Sequence, residues 1–569
     1  MINVLFSCFV ITYFLTLVGS IFNISKKTIN KCIFEEIIYG LIIISLVALT
    51  INFFLPLSPN LNTLIFFLII LGAFLKKHLF KNKKEVLIIF IISFLSSLFL
   101  LFSDSYRPDA GLYHYPYIQI LNEEKIIFGL SNLHGRFGLT SILQYQSAFF
   151  NNLIFGLNAT VIPSAVIAST IITLICKEIF ISLKKKIIKI DTLFLFFLLI
   201  FISFKMNRYS EFGNDAPAHF LLFFLTILFI KNYNVKEKFS DLCLISIFIV
   251  LNKITLVAGL FFPMIHFFKN NLRFSKLFNL KIFLCATFLL LWLLKNFFIS
   301  ACLIYPMKQT CFKKFSWSNP SKIHQYSVGI EAFAKGLPDQ DDDKRLKGEI
   351  YYKNFNWLDT WTKNHFKEKI FYNMGIYIVI LLSCFFILKI KFNKIYETKI
   401  NYVRTSQFPY KIILTISTLG IIIWFLKVPV FRFGYSFLTL FIISILLIIL
   451  NKILIRKKII LNLFSLNFLV ILCISAIVLK QAVRFEKKYD VKYYNYPWVK
   501  FYGSSVENNF VSNKTIKYNN IVLYRVPEAD DQLCYFSKSI CTPQNEVDKK
   551  IKYEIKNNYK FFSIIKSKN

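Results

Sequence analysis

Asp104, Arg107, Asp109 and His114 crowd one short stretch, Asp-Ser-Tyr-Arg-Pro-Asp-Ala-Gly-Leu-Tyr-His-Tyr-Pro, at the end of a long apolar run. Charged groups at that depth are costly unless they serve a ligand or one another. A second acidic stretch, Arg208-Tyr-Ser-Glu-Phe-Gly-Asn-Asp-Ala-Pro-Ala-His219, supplies Glu211, Asp215 and another imidazole. Cations stand nearby in the pattern: Lys253, Lys427 and Arg432 at the ends of apolar runs, and Arg136 within His134-Gly-Arg-Phe-Gly138. A carboxylate that can take a proton from a hydroxyl, facing fixed positive charge that can hold a departing phosphate, is what glycosyl transfer from a lipid phosphate requires. Asp109 is the first candidate for the reacting group, with Asp104, Glu211 and Asp215 beside it. Arg107, His114, His134, Arg136, Arg208, Lys253 and Arg432 are the candidate substrate contacts.

Each has a plainer reading. Asp109 can cap the helix that begins after it, Glu211 and Asp215 can solvate or cap a short loop, and Lys253 and Arg432 can snorkel to headgroups. A lone histidine is most often structural. The run Asp339-Gln-Asp-Asp-Asp343 has the composition of a calcium ligand set without its spacing or closing Glu, and reads as a solvated loop.

The elements that must carry these residues are membrane spans. With 56% hydrophobic residues, 66 Phe and a mean hydropathy of +0.55, the chain is far more apolar than a soluble protein. The net charge of +37 sits in short hydrophilic breaks between apolar stretches, so it reads as topogenic and excludes a nucleic-acid surface. Apolar runs long enough to span fall near 3–22, 34–55, 61–75, 86–102, 159–182, 191–205, 216–230, 280–299, 369–390, 410–427, 432–451 and 458–479. Lysine-rich connections stay cytoplasmic, which puts Asp109 outside. The stretch 241–268 fits the later loops only as two short helices meeting at Asn252-Lys253, with Lys253 lining a cavity in the outer half of the membrane. The expected fold class is therefore an all-α polytopic membrane protein of 12–14 spans with both termini periplasmic, in a bacterial inner membrane.

The outer face would collect loops 103–158, 206–215 and 300–368, the 428–432 turn and a tail. The apolar spacing of 111–128 predicts an amphipathic helix lying on the membrane surface, and Trp357 and Trp361 predict another interfacial helix. Strand-like runs such as 520–526 predict a small C-terminal α/β domain. Three parts follow: accessory spans over 1–85, a core over 86–480, and a periplasmic domain over 481–569. Of 11 cysteines, only Cys302, Cys311, Cys534 and Cys541 lie in outer segments, and two close pairs in an oxidising compartment predict Cys302–Cys311 and Cys534–Cys541 disulfides.

An acidic motif in the first large outer loop, a surface helix, a second acidic loop, a short helical pair and a late Pro-x-x-Arg-Phe-Gly turn (Pro429 to Gly434) together resemble the GT-C class of multi-span glycosyltransferases. The segment Lys295-Asn-Phe-Phe-Ile-Ser-Ala-Cys-Leu-Ile-Tyr-Pro306 also resembles a span-to-loop junction of that class. The resemblance covers most of 86–451. It implies Asp109 as the catalytic first-loop acid, Glu211 and Asp215 as a second acidic site, Arg432 as a contact to the donor phosphate, a polyprenyl-phosphate sugar donor, and a glycan or lipid acceptor. There is no tight Asp-x-Asp in the first loop, so no metal ligands are assigned and magnesium or manganese stays an open cofactor. Three rivals remain: an O-antigen polymerase or ligase, a transporter or flippase, which should carry ionisable residues deep in several spans where this chain has almost none, and a non-catalytic scaffold.

Overall fold

The computed structural model describes residues 2–22, 32–75, 81–102, 109–206, 209–210, 213–336, 350–351, 353–389, 401–403, 407–457, 463–486, 514–518, 521–525, 534, 538–541 and 551–565. The helices, in chain order, begin with α1 (Ile2–Phe22), α2 (Ile33–Asn52), α3 (Pro59–Leu75), α4 (Lys83–Leu101), α5 (Tyr115–Glu123), α6 (Leu130–Leu133) and α7 (Ile142–Phe150). They continue with α8 (Ile162–Lys184), α9 (Ile190–Phe204), α10 (Asp215–Lys231), α11 (Phe239–Asn252), α12 (Phe261–Lys269), α13 (Leu280–Ser300) and α14 (Pro320–Ala334). The last five are α15 (Leu358–Trp361), α16 (Tyr372–Lys389), α17 (Phe408–Lys427), α18 (Phe431–Lys457) and α19 (Leu463–Glu486). Among the described residues, nine helices are long and apolar enough to cross a membrane, and three more are apolar but shorter.

Local sequence sets the ends. Asn82 caps α4 through a reciprocal pair with Glu85, and the Asn279 side chain accepts the Ile282 N–H at the start of α13. In α1 and α2 the glycines decide packing: a methyl at Gly19 or Gly40 would overlap the carbonyl oxygen of Glu36 or Leu15 on the facing helix. Two backbones can approach that closely only where small residues face each other. Phe14 of α1 then stacks on Phe66 at 4.3 Å and reaches Phe149 of α7 at 6.3 Å. The Ser45 hydroxyl of α2 bonds Gln146 at 3.1 Å, so these first helices share one interior with α7.

Two opposite faces of the bundle follow from the pairings. Helix α2 starts where Glu35 meets Lys238 at 2.5 Å and Glu36 meets Lys81 at 2.7 Å, and it ends where Asn52 bonds the Glu124 carbonyl at 3.0 Å. Helix α10 starts at Asp215, paired with Lys253, and ends where Lys231 meets Glu178 at 2.5 Å. Helix α11 leaves the Lys238 end, the chain turns at Lys253, and α12 returns to bring Lys269 against Asn234 just beyond α10. The stretch 241–268 is thus a pair of short helices with its turn at the Asp215 end of α10. We call the Asp215 end the site face and the other the basic face, which carries Lys81, Lys231, Lys238, Lys269 and Lys281.

Strands are few. β1 (Ile187–Lys189) pairs in parallel with β2 (Asn401–Val403). β3 (Lys514–Tyr518) pairs with β4 (Ile521–Arg525), and β5 (Ile551–Lys556) with β6 (Tyr559–Ile564), both antiparallel. The described residues beyond Glu486 include no helix, so the helical part of the expected C-terminal α/β domain falls outside them. The β5–β6 hairpin belongs to the site face: the Phe128 N–H donates to the Lys560 carbonyl and the Phe562 N–H to the Phe128 carbonyl, each at 2.9 Å, the Asn132 amide bonds the Phe562 carbonyl at 2.9 Å, and Ile564 N–H donates to the Ser316 carbonyl at 2.9 Å.

Two surface expectations change. The 111–128 segment forms a π-helical turn, Ala110–His114, then α5, and both are packed inside the protein. Its polar face is taken up by the fold: the Asn122 amide bonds the carbonyls of Leu57 at 2.7 Å and Ala148 at 2.9 Å. Trp357 and Trp361 are buried as well; they pack on Phe425, each at 5.2 Å, so their rings meet protein and not an open surface. An amphipathic period cannot by itself distinguish a lipid surface from a protein surface.

Candidate functional site

Asp109 opens the Ala110–His114 turn, yet its side chain makes no capping bond. The carboxylate instead faces two guanidiniums, Arg136 Nη1 at 3.6 Å and Arg432 Nη2 at 3.7 Å. Arg432 also approaches Asp215, Nε to Oδ2 at 3.5 Å, and Lys253 pairs tightly with the other oxygen of Asp215. Four elements distant in sequence therefore meet: the 109–114 turn, the Gly135–Gly138 turn, the α10 start with the Lys253 break, and the first turn of α18.

The distances separate two kinds of pair. A charge-assisted hydrogen bond closes to about 2.7–2.9 Å; Lys253 and Asp215 are in direct hydrogen-bond contact, whereas the three arginine contacts, at 3.5–3.7 Å, are looser. Arg432 Nε is buried and makes no hydrogen bond among the described residues. Among the described residues three cations face two carboxylates, an excess of positive charge, and the Arg432 Nε donor is not saturated. That combination suits an oxyanion.

Aromatic rings hold the cations from beneath. The Phe433 ring lies 3.8 Å from Lys253 Nζ and 5.0 Å from the Arg432 guanidinium, and Tyr113 underlies Arg136 at 4.9 Å. Burial, and then the charge of Asp109, pushes the Tyr113 phenol above its ordinary range, so it stays protonated as a donor. His114 is buried with Nδ1 3.3 Å from the Gln144 amide, and burial pushes its imidazole down to about 4. His134 packs edge-on against Phe137 at 5.3 Å, with its imidazole also pushed down to about 4, by burial and then by Arg136 and Lys322. Both histidines are neutral wall residues at neutral pH.

The turn carrying Arg432 is fixed from three sides. The indole N–H of Trp361 donates to the Pro429 carbonyl at 2.7 Å, and that of Trp424 donates to Val430 at 2.8 Å. His219, one turn along α10 from Asp215, reaches the Arg432 carbonyl through Nε2 at 2.8 Å and Ser436 Oγ through Nδ1 at 2.8 Å. A carbonyl only accepts, so Nε2 carries the proton and Nδ1 accepts from the serine. Helix α10 thus grips Arg432 twice, at its guanidinium through Asp215 and at its backbone through His219. The preceding loop is anchored by Lys480 of α19, which donates to the carbonyls of Ser203 and Met206 at 2.6 Å and to the Tyr209 hydroxyl at 2.9 Å.

The Arg136 turn is held by close packing. A methyl at Gly135 would meet the Tyr326 ring at 2.7 Å, and one at Gly138 the Tyr305 ring at 2.6 Å. Tyr305 lies inside the loop closed by the Cys302–Cys311 disulfide; Cys534–Cys541 is bonded as well. The Cys534 N–H donates to the Gly111 carbonyl at 3.0 Å, so both bridges lie on the site face.

Of the residues singled out from sequence, Asp109, Asp215, Arg136, Lys253 and Arg432 form the charged row, and His114 and His134 form its wall. Asp104, Arg107, Arg208 and Glu211 lie outside the described residues, as does the 339–343 acidic run. Lys427 stands apart, exposed and 3.5 Å from Glu331. Tyr113, Phe433 and Gln144 were not singled out by sequence; the signal available was an aromatic residue next to a charged one in a motif. Among the described residues no group of three or more His, Cys, Asp or Glu side chains could hold a metal ion.

The fold and its apolar helices define a multi-pass membrane protein with a charged pocket at one end of the bundle. Within that class the chain belongs to the family described as Domain of unknown function (DUF8201), whose model matches residues 1–439. The match takes in every described member of the charged row. No curated protein and no solved structure matches the chain.

Proposed function

We propose that this chain is an integral-membrane glycosyltransferase of the GT-C type, acting at the periplasmic face of a bacterial inner membrane on a polyprenyl-phosphate-linked sugar and a glycan or lipid acceptor of the cell envelope. The observation that carries this reading is the loose grip of Arg432 and Arg136 on Asp109: one carboxylate faces two guanidiniums at 3.6–3.7 Å, and Arg432 keeps an Nε without a hydrogen bond among the described residues. Two disulfides on the site face and the lysines at the other end of the bundle support an outward-facing site.

In this mechanism the Asp109 carboxylate takes the proton of the acceptor hydroxyl as its oxygen attacks the anomeric carbon. The bond from that carbon to the phosphate oxygen breaks, and the electron pair leaves with the phosphate. Arg432, steadied by Asp215 and Phe433, takes up the charge that develops there, with Lys253 behind it. One displacement inverts the anomeric centre. The test is transfer from polyprenyl-phosphate sugars by the purified full chain in lipid: Asp109→Asn should abolish turnover while leaving the fold intact, and near-full activity in that variant overturns the assignment.

A further inference from the structure

Helix α13 is long and apolar enough to span the membrane, and its outer side carries Phe283, Leu290 and Leu294, exposed at helical spacing. On a span, an exposed apolar stripe is the side that meets lipid. The same face runs on to Phe297, close to the helix end at Ser300. There the chain folds back: the Phe312 N–H donates to the Ala301 carbonyl at 2.8 Å, and the rings of Phe312 and Phe315 lie 5.5 and 5.0 Å from that of Phe297. Two further aromatic rings thus crown the lipid-facing stripe. They keep open faces: Phe312 is 46% and Phe315 37% exposed, and Met307 beside them is 48% exposed.

Between these apolar side chains stand Lys308, Lys313 and Lys314, all exposed, and the sequence from 301 to 330 contains no Asp or Glu. The segment is also held in shape. The Cys302–Cys311 bridge closes its base, the Leu303 N–H donates to the Thr310 carbonyl at 3.1 Å, and Phe315 lies 4.8 Å from Trp317, whose ring packs on Phe128 and Phe561 of the site face. We propose that residues 307–315 form a docking surface for anionic phospholipid headgroups of the leaflet on the site face. Met307, Phe312 and Phe315 enter the boundary between headgroups and acyl chains, and the three lysines lie over them on the lipid phosphates, as long cationic side chains do at that depth. Little ordering cost remains, because the loop is already fixed by its bridge and its packing. Tyr305 of the same loop packs on Gly138, so the headgroups gathered here border the Arg136 turn.

The full chain carrying Phe312→Trp is placed in phosphatidylcholine nanodiscs doped with either phosphatidylglycerol or phosphatidylcholine brominated high on the acyl chains. The fluorescence lost beyond that of the native chain is then read. Brominated phosphatidylglycerol should quench the new indole at a lower mole fraction than brominated phosphatidylcholine. Lys308→Gln, Lys313→Gln and Lys314→Gln should each cut that preference by up to about fivefold, the scale of one cation at an anionic bilayer surface, and together should abolish it. Raised salt should weaken it as well. Phe315→Trp is a second reporter read in the same way, so failure of one variant to fold does not end the test. Indoles that neither lipid quenches would leave the loop in water and overturn the proposal. Equal quenching by the two lipids, or a preference that survives loss of all three lysines, overturns the headgroup assignment. No readout involves transfer, so the glycosyltransferase reading stands or falls separately.

Discussion

The Arg432 guanidinium stands 3.7 Å from the carboxylate of Asp109 and 3.5 Å from that of Asp215, bridging two acids that enter from different loops. Arg432 is therefore the hinge of the electrostatics: without it, Asp109 and Asp215 face each other with only Arg136 and Lys253 to separate their charges. If the three act together, the effects of Arg432→Gln and Asp109→Asn on turnover will not add. The double variant is expected to be no slower than the worse single one, and a double-variant cycle on transfer rates checks it.

Among the described residues, Lys253→Met leaves Asp215 with only the looser arginine contact. Breaking one partner of a largely buried pair is expected to cost about 3 kcal/mol, the lower end of the range for such pairs. Adding Asp215→Asn should recover part of that loss, which denaturant or thermal unfolding of the two variants would show. Equal stability of Lys253→Met and the native protein would contradict the pairing.

His114 and His134 give the site wall a pH dependence of known sign. Both imidazoles are pushed down to about 4 in the folded protein, against about 6.5 in an unfolded chain. The fold thus favours their neutral forms, so their contribution is complete above about pH 6.5 and is lost as pH falls toward 4. Unfolding midpoints measured from pH 8 to 4 should fall over that window, and a variant carrying Asn at both positions should show a shallower slope.

Gly40→Ala tests the α1–α2 contact. The added methyl would land on the Leu15 carbonyl, a backbone atom that cannot rotate away. Parting the two helices is expected to cost about 3 kcal/mol or more, above the usual range for overpacking because backbone must move. Alanine at Gly72, where a methyl meets nothing within 4 Å, is the control and should leave the midpoint unchanged.

Much of the frame was legible in the sequence because hydropathy and loop charge act locally. Most span ends agree within about three residues, although the last two helices run on to Lys457 and Glu486, past the expected ends at 451 and 479, and the turn at Asn252-Lys253 followed from the lysines beyond it needing one side of the membrane. The meeting of Asp109, Asp215, Lys253 and Arg432 could be anticipated because a buried charge must find a partner. What could not be read is partnership across distance. Asn122 looks like a surface residue until Leu57 and Ala148 claim its amide, and nothing near Trp361 in the sequence names the Pro429 carbonyl as the acceptor of its N–H. Lys295 was visible only as part of a junction; its burial against Thr140 emerges in three dimensions. His219 carried no pattern marking it as the residue that grips Arg432.

The hairpin of β5 and β6 lies about 430 residues along the chain from Asn132, whose amide it receives. A ribosome must therefore finish nearly every helix before that contact can exist, and the strands must then be exported to reach it if the site faces outward. During that interval the segment around Phe128 has an unmatched backbone edge, and the wall beside the Arg136 turn is incomplete. Assembly of the site face is in this way tied to arrival of the tail, so a chain cut short before β5 would insert its helices and still lack a finished site face.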